Sequence, residues 1–182
     1  MQKMLNDYDV ISLNEVKTPL PVAFPGFISV RSKVIGAGHR GGTVVMIRNC
    51  FKAQTKVVDT TVDDQVWLQF TCVPKVMFGF CYIPPQDSEY YSHHSFAKVQ
   101  EKMKANPTLS LCVIGDLNAR LGKCVSELPR LACIPHAHPY TYPVLADNVT
   151  TQNENATILS ALCIDEKMLV VNNLKTHCQY FL

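Results

Sequence analysis

Short apolar runs separated by turn residues dominate most of the chain, and this pattern is typical of a β-rich domain. A run that is rich in β-branched and aromatic residues, and that is bounded by glycine, proline or polar clusters, predicts a strand. By this criterion we predict strands at 9–13, 27–34, 42–49, 52–59, 65–71, 75–83, 109–114 and 169–173. The short connections between several of these runs predict that neighbouring strands pair as hairpins.

Two later segments have helical periodicity instead. Residues 90–105 predict an amphipathic helix with Phe96, Val99 and Met103 on one face. Residues 155–168 predict a second helix, whose apolar positions are Ile158, Leu159, Leu162 and Cys163. Residues 123–152 show no periodicity and contain four prolines, which is typical of a functional or disordered loop. Strand hairpins, together with helices that flank buried strands, predict an α/β fold of two sheets with helices outside.

The composition is that of one globular domain spanning residues 1–182, with 47% hydrophobic and 18% charged residues. No segment reaches the roughly 18 uninterrupted apolar residues of a membrane span, and the N-terminal residues lack the apolar core of a signal peptide. We therefore expect an intracellular protein, in the nucleus or the cytoplasm, with no membrane partner. The net charge of +2 does not by itself indicate a nucleic-acid-binding protein.

The eight cysteines are scattered along the chain and include no C-x-x-C pair. A disulfide framework or a zinc site needs tighter, patterned spacing. Several of these cysteines lie within apolar runs, where cysteine acts as a small hydrophobic residue. We therefore predict reduced thiols, which agrees with an intracellular location.

Polar side chains follow three of the predicted strands at the points where these strands end. Glu15 follows the first strand, Tyr82 lies at the end of a later one, and Asp116 and Asn118 follow the most hydrophobic run. Ligand-binding groups often lie at the ends of buried strands in α/β sheets. Residues two apart in an extended segment share a face, so we expect Asp116 and Asn118 to converge on one target. Gly115 removes a side chain at a point where another group comes close.

Each of these residues also has an ordinary structural explanation. Glu15 suits a surface carboxylate, Tyr82 suits packing between apolar residues, and G-D-x-N suits a turn or a helix N-cap. Together, however, these residues favour a functional site, because two carboxylates, an amide and a phenol are complementary in phosphoryl chemistry. Mg²⁺ is held by one or two carboxylates together with water and substrate phosphate oxygens.

In their order along the chain, six segments resemble the endonuclease/exonuclease/phosphatase superfamily, and most of all the apurinic-endonuclease-like domain of non-LTR (LINE-type) retrotransposons. These segments are DVISLNEVK, GGTVVMIRN, FGFCYIPP, VIGDLNARLG, NENATILSALC and LVVNN. Gly41 and Gly42 before a hydrophobic strand fit that domain, whereas Ala156 stands where the family has a glycine. The resemblance implies a four-layer α/β sandwich, in which two mixed β-sheets pack face to face with helices outside.

The resemblance also implies roles for individual residues. Glu15 would hold the metal, and Tyr82 would contact the scissile phosphate. Asp116 would orient or activate the attacking water, and Asn118 would position the phosphate. The further residues that it implies as contacts to nucleic acid or phosphate are Asn14, Arg120, Asn155 and Asn173. It implies Mg²⁺ as the cofactor, with Mn²⁺ as an alternative, and DNA as the partner. In a full-length relative, a reverse transcriptase domain would lie on the same chain.

The chain departs from the family pattern at both ends. Family members begin with a core strand that carries a metal-site asparagine, and they end with a strand that carries a Ser-Asp-His-like motif. Neither segment is found in this sequence, and His177 lacks the neighbouring aspartate of that motif. We therefore expect an incomplete domain whose catalysis is impaired by truncation.

Three functional hypotheses remain from the sequence. The first is a Mg²⁺-dependent DNA endonuclease that nicks DNA as the retrotransposon enzymes do. The second is a phosphatase of the same superfamily, which would share the same core groups. The third is a non-catalytic relic that binds nucleic acid or protein. The R-L-G and N-E-N-A-T-I-L segments favour the retrotransposon branch.

Overall fold

The structure is a computed structural model, and it describes residues 7–17, 24–33, 41–121, 152–166 and 168. The described strands are β1 (Val10–Leu13), β2 (Phe27–Arg31), β3 (Val44–Arg48), β4 (Thr55–Asp59), β5 (Gln65–Phe70), β6 (Val76–Tyr82) and β7 (Ser110–Asp116). The described helices are a 3-10 helix at Asn49–Gln54, α1 (His94–Ala105) and α2 (Glu154–Asp165). Each strand and helix that was predicted within the described ranges is therefore present, and the strand predicted at 169–173 lies outside the described residues.

The bounds of several elements differ from the prediction. The strand predicted at 52–59 begins only at Thr55, because residues 49–54 form the 3-10 helix; the Thr55 hydroxyl donates to the Phe51 carbonyl at 2.8 Å and marks the change. The helix predicted at 90–105 begins at His94, after a turn in which the Ser92 hydroxyl accepts the His94 N–H at 3.2 Å. The helix predicted at 155–168 ends at Asp165.

The strand predicted at 109–114 differs in both length and burial. It continues through Gly115 to Asp116, where it is still paired with β6. The prediction of a buried strand is wrong, since residues 110–116 are half-buried or exposed and Ile114 is among the exposed ones. The physical reason is its position, because β7 is the last strand of its sheet among the described residues. Edge strands leave one side open to solvent.

The described strands form two sheets. The first has the order β1-β3-β2, and both of its pairs are antiparallel, with Val10 and Ile28 each opposite Ile47. The second has the order β4-β5-β6-β7, in which only β6 and β7 are parallel. A parallel pair needs a crossover connection, and α1 lies in the connection between β6 and β7. The second sheet is therefore mixed, as predicted.

The two sheets pack face to face around one apolar core. Its buried side chains come from β3, β5 and β6 and are Val45, Ile47, Val66, Leu68, Phe70, Phe78 and Phe80. The rings of Phe70 and Phe78 meet edge to face with centroids 5.5 Å apart, a favoured arrangement for aromatic pairs. Full burial of each such side chain contributes roughly 1.5–3 kcal/mol. The two packed sheets hold the ends of β1 and β6 in fixed positions.

The opposite face of the second sheet is covered by α1. Trp67 is fully buried on this face, and its indole N–H donates to the Gln65 side chain at 3.1 Å. The Gln65 amide in turn donates to the Ser95 carbonyl of α1 at 3.0 Å. Gly79 lies opposite Trp67, where a Cβ would come within 2.4 Å of the ring. Sheet, sheet and helix therefore form successive layers, and the fold class is α/β with two packed sheets, as predicted.

The chain divides into two compact units, Met1–Leu117 and Asn118–Leu182. The first contains both sheets and α1. The second contains α2 and a small apolar cluster formed by Leu121, Ala156 and Cys163. Over the described ranges, no helix is both long and apolar enough to cross a membrane. Each of the cysteines within those ranges is a free thiol, as predicted.

Candidate functional site

A hydrogen bond between Tyr82 and Glu15 joins the ends of two strands from different sheets. Tyr82 is the last residue of β6, and Glu15 follows β1 by two positions. The Tyr82 hydroxyl donates to a Glu15 carboxylate oxygen. Glu15 has a left-handed backbone, with φ of 56°, a conformation that is uncommon outside glycine and that occurs often at functional sites. The structure therefore brings two of the predicted site residues into direct contact.

The turn at Glu15 depends on the glycine pair that precedes β3. Val16 N–H donates to the Gly42 carbonyl at 3.0 Å, and Gly42 N–H donates back to the Val16 carbonyl at 3.3 Å. A Cβ on Gly41 would lie only 2.5 Å from the Cα of Glu15. Only glycine allows this close approach of two backbones. The Gly41-Gly42 pair thus holds the segment that carries Glu15.

Asp116 lies directly opposite Tyr82 in the parallel pair of β6 and β7. The Ile83 N–H donates to the Asp116 carbonyl at 2.9 Å, so the pairing continues to the last residue of β7. Gly115 has φ of 140°, and a Cβ there would lie 2.0 Å from the Cys81 carbonyl oxygen. The predicted need for glycine before Asp116 thus has a direct cause in the approach of β7 to β6.

The pKa of Tyr82 is raised well above its ordinary value. Partial burial contributes most, followed by the hydrogen bond to Glu15 and by the negative charges of Glu15, Asp116 and Asp64. Burial and nearby negative charge both disfavour the phenolate. Tyr82 is therefore a neutral phenol over the physiological pH range, and its chemistry is that of a hydrogen-bond donor.

Asp64 is a further member of this group that the sequence analysis did not find. It is buried, has φ of 57° and immediately precedes β5. Its carbonyl accepts the Tyr82 N–H at 2.9 Å and the Thr43 hydroxyl at 2.8 Å. In the sequence, Asp63 and Asp64 form an ordinary turn signal before a strand, and only the pairing of β5 with β6 places Asp64 beside Tyr82.

Asn14 lies next to Glu15 and also faces Thr43. The Thr43 hydroxyl is 3.4 Å from the Asn14 side-chain oxygen, in addition to its shorter bond to Asp64. Thr43 is fully buried, so it links the end of β1 with the start of β5 inside the protein. The predicted contact residue Asn14 therefore lies at the same end of the sheets as Glu15.

A cavity of about 250 Å³ opens beside Tyr82. Its walls combine the acidic side chains of Glu15 and Asp64 with rings and one cation; the full lining is Glu15, Lys17, Gly41, Asp64, Tyr82, Pro84, Pro85, Ser88 and Tyr90. A larger cavity of about 450 Å³ lies beside α1. Its lysines are already neutralised, because Lys98 pairs with Glu101 at 2.8 Å and Lys102 pairs with Asp59. The smaller cavity is therefore the better candidate for a catalytic site.

The donor groups at the smaller cavity are oxygen ligands. Among the described residues, no three His, Cys, Asp or Glu side chains are close enough to form a complete metal site. Mg²⁺ does not need such a cage, because it is bound by one or two carboxylates and fills its remaining positions with water and substrate phosphate oxygens. Glu15 and Asp64, which both line the cavity, match this kind of hard-cation site.

The remaining predicted residues belong to the second unit. Asn118 has φ of 47°, so the expectation that residues 116–118 continue as an extended segment is wrong; the strand ends at Asp116, and the backbone of Asn118 is left-handed. Arg120 is exposed, whereas Asn155 is fully buried in the first turn of α2. Asn173 lies outside the described residues.

Asn153 is a second residue that the sequence analysis did not find. Its side-chain oxygen accepts the N–H groups of Ala156 and Arg120, each at 3.0 Å, and its amide donates to the Asn118 carbonyl at 2.7 Å. Asn153 is thus the N-cap of α2, and it also joins α2 by hydrogen bonds to the segment that begins at Asn118. The N-cap could be predicted from an asparagine before an apolar helical run, but the hydrogen bonds to Asn118 and Arg120, which are distant in the sequence, could not.

The α/β fold has a distant likeness among solved structures. The chain is similar to the catalytic domain of human Nocturnin, solved with a bound sulfate anion, with a TM-score of 0.38 and 14% sequence identity. The match covers 64% of this chain and 54% of that chain, so the chain spans about half the length of that domain. No protein-family model matches the sequence, and no curated protein matches it.

Proposed function

We propose that this protein is a metal-dependent phosphodiester hydrolase of the endonuclease/exonuclease/phosphatase type, which nicks DNA as the LINE-type endonucleases do. The observation that carries the proposal is the Tyr82–Glu15 hydrogen bond with Asp116 paired opposite Tyr82. These three residues come from three of the motifs on which the sequence resemblance rests. The hydrogen bond and the strand pairing bring the three residues to the same end of the two sheets.

The chemistry of each residue supports this activity. The neutral phenol of Tyr82 has a single O–H, which donates to Glu15. When substrate is bound, the same O–H can donate to a non-bridging phosphate oxygen in place of Glu15. Asp116 has an exposed carboxylate at the end of β7, so it can orient or deprotonate a water molecule for in-line attack. Attack by water with departure of the 3′ oxygen would leave a 5′-phosphate. Asn118 keeps its proposed role in positioning the phosphate on the strength of the resemblance alone.

The proposed cofactor is Mg²⁺, with Mn²⁺ as an alternative. Glu15 would hold the ion, with Asn14 and Asp64 as neighbouring oxygen donors. When bound, such an ion neutralises phosphate charge and stabilises the leaving oxygen. The carboxylates give such an ion a role, because Glu15 and Asp64 on the cavity wall repel a phosphate and outnumber the one cation there, Lys17.

DNA is the proposed partner, and a reverse transcriptase domain on the same polypeptide follows only from the resemblance to LINE-type proteins. Lys17, on the wall of the cavity, is a cation suited to a phosphate oxygen. Arg120, an exposed residue of the second unit, is proposed as a further phosphate contact. The nucleus and the cytoplasm both remain proposed locations.

The test is a nicking assay on supercoiled plasmid with the full chain, in Mg²⁺ and in EDTA. Conversion to open circles that requires Mg²⁺ and leaves 5′-phosphate ends supports the proposal. Release of phosphate from a soluble phosphomonoester without nicking would assign the phosphatase instead. Retention of DNA on a filter with neither reaction would assign a non-catalytic binding protein. Either of the last two results overturns the proposed endonuclease.

A further inference from the structure

The side chain of Asn153 makes two hydrogen bonds to one short backbone segment, residues 118–120. Its amide donates to the carbonyl of Asn118 at 2.7 Å, and its oxygen accepts the N–H of Arg120 at 3.0 Å. The two peptide groups flank Ala119, so a single planar carboxamide fixes the orientation of both. Both polar atoms of the Asn153 side chain are therefore hydrogen-bonded, and its oxygen also accepts the N–H of Ala156.

Apolar packing alone does not fix this segment. Ala119 and Leu121 pack against Ala156 and Cys163 in the core of the second unit. Such contacts are non-directional, so they do not set the orientation of individual peptide groups. The hydrogen bond from Asn153 does so for the Asn118 carbonyl, because a rotated carbonyl loses this donor.

The backbone of Asn118 needs such support. Its φ of 47° is left-handed, and asparagine tolerates this conformation at some energetic cost. A conformation of this kind persists where the surrounding structure determines it. The carbonyl and the side chain of Asn118 are attached to the same Cα, so a change in this left-handed backbone also changes the direction of the side chain.

We propose that Asn153 is a positioning residue, whose carboxamide holds the Asn118 backbone in its left-handed conformation and thereby aims the Asn118 side chain for catalysis. The catalytic half of this inference rests on the proposed function. The structural half does not, because it concerns only the contacts of Asn153 with Asn118, Arg120 and α2.

The replacement Asn153→Asp separates the two roles of this residue. A carboxylate still accepts the N–H groups of Ala156 and Arg120, and it is favoured at a helix N-terminus. It cannot donate to the Asn118 carbonyl, and it places a negative oxygen against that acceptor. We therefore expect N153D to keep α2 and the thermal midpoint of unfolding while Asn118 leaves its left-handed conformation. N153A removes both roles, so it lowers the midpoint as well.

The matched control is Asn106→Asp, at the end of α1. The Asn106 amide donates to the Lys102 carbonyl at 2.9 Å, so this change removes the same kind of hydrogen bond in the first unit. We expect N106D to leave Asn118 and the nicking rate unchanged. A loss common to N106D and N153D would indicate a general effect of the added charge.

The experiment is a comparison of wild type, N153D, N153A and N106D by NMR and by nicking kinetics. The expected result is a changed backbone coupling constant and chemical shift for Asn118 in N153D, with retained exchange protection of the Arg120 N–H. Nicking by N153D should fall by roughly tenfold to a hundredfold in kcat, with little change in KM, as is typical of a misplaced catalytic group.

Two results would overturn the inference. The first is an unchanged Asn118 conformation in N153D, which would show that the amide does not hold it. The second is a changed conformation with wild-type kcat, which would show that the position of Asn118 is irrelevant to catalysis. If the wild-type chain does not nick DNA at all, the proposed function fails, and the NMR comparison still decides whether Asn153 holds Asn118.

Discussion

The Tyr82 hydroxyl donates a hydrogen bond to the carboxylate of Glu15, although the two residues are 67 positions apart in the sequence. One residue ends β6 of the mixed sheet and the other follows β1 of the antiparallel sheet. The contact therefore exists only because the two sheets pack face to face. It places a phenol, two carboxylates and a cavity at one end of the sandwich.

Removal of the Glu15 charge should lower the pKa of Tyr82. Glu15→Gln keeps a hydrogen-bond acceptor but removes a negative charge, so the phenolate becomes less unfavourable. Burial remains, and the pKa of Tyr82 should therefore stay above its ordinary value near 10. An ultraviolet titration in alkali, with Tyr82→Phe to identify the signal, measures this shift.

The matched control for this titration is Glu101→Gln on α1, which pairs with Lys98 away from the cavity. It should leave the Tyr82 titration unchanged. Equal titration curves for Tyr82 in wild type and E15Q would contradict the contact between Tyr82 and Glu15.

Replacement of Gly115 by alanine should strongly lower the free energy of unfolding, because a methyl group there prevents the close pairing of β7 with β6. In Gly115→Ala, the new Cβ meets the Cys81 carbonyl at 2.0 Å, and the backbone φ of 140° is strained as well. Gly26→Ala is the matched control, because φ there is 86° with no atom within 4 Å. We expect G26A to cost about 1 kcal/mol from strain alone.

The cost of G115A should exceed that of G26A by several kcal/mol, on the order of a severe packing defect. Urea unfolding of both variants measures the difference. Similar free energies of unfolding for the two variants would show that β7 does not pair with β6 in the register described.

The ion pair between Lys102 of α1 and Asp59 of β4 should make stability depend on pH in the acid range. Partial burial raises the pKa of Asp59, but the hydrogen bonds from Lys102 and Thr61 and the charge of Lys102 outweigh it and lower the pKa to about 2. A lowered pKa in the folded state means that the stabilisation is fully present above the unfolded value near 3.8 and is lost as the pH falls toward 2.

Lys102→Met should therefore lower the free energy of unfolding by about 1–2 kcal/mol at neutral pH, and the difference from wild type should shrink below pH 3.8. The matched control Lys98→Met breaks an exposed pair with Glu101, which contributes little. Urea unfolding between pH 2 and pH 7 tests this, and a K102M difference that is constant with pH would contradict the assigned pKa.

Much of the fold could be predicted from the sequence because its strands are amphipathic or fully apolar. The apolar runs of β5 and β6 predicted strands that are buried on both faces, and their odd and even residues pack on different faces, as Trp67 and Leu68 do. The 3-10 helix at 49–54 was not predicted, because Lys52, Ala53 and Gln54 continue the run of Thr55–Asp59 without a turn residue.

The candidate site could be predicted in part, for a similar reason. Glu15, Tyr82 and Asp116 each stand at the end of an apolar run, where a polar residue is conspicuous. Asp64 and Asn153 were missed because their local signals are a turn and a helix cap. Their importance comes from contacts with Tyr82 and with Asn118, which are distant in the sequence and arise only on folding.

The replacement that tests the central claim most directly is Asp116→Asn, which retains the size of the side chain and removes its charge. Asp87→Asn, in the exposed turn after β6, is the matched control. The measurement is the single-turnover rate of plasmid nicking in Mg²⁺ by wild type, D116N and D87N, each with an unchanged circular dichroism spectrum. We predict that D116N loses roughly 10²–10⁴-fold, the usual contribution of a general acid–base group, and that D87N is as fast as wild type. Wild-type nicking by folded D116N would contradict the assignment of this site.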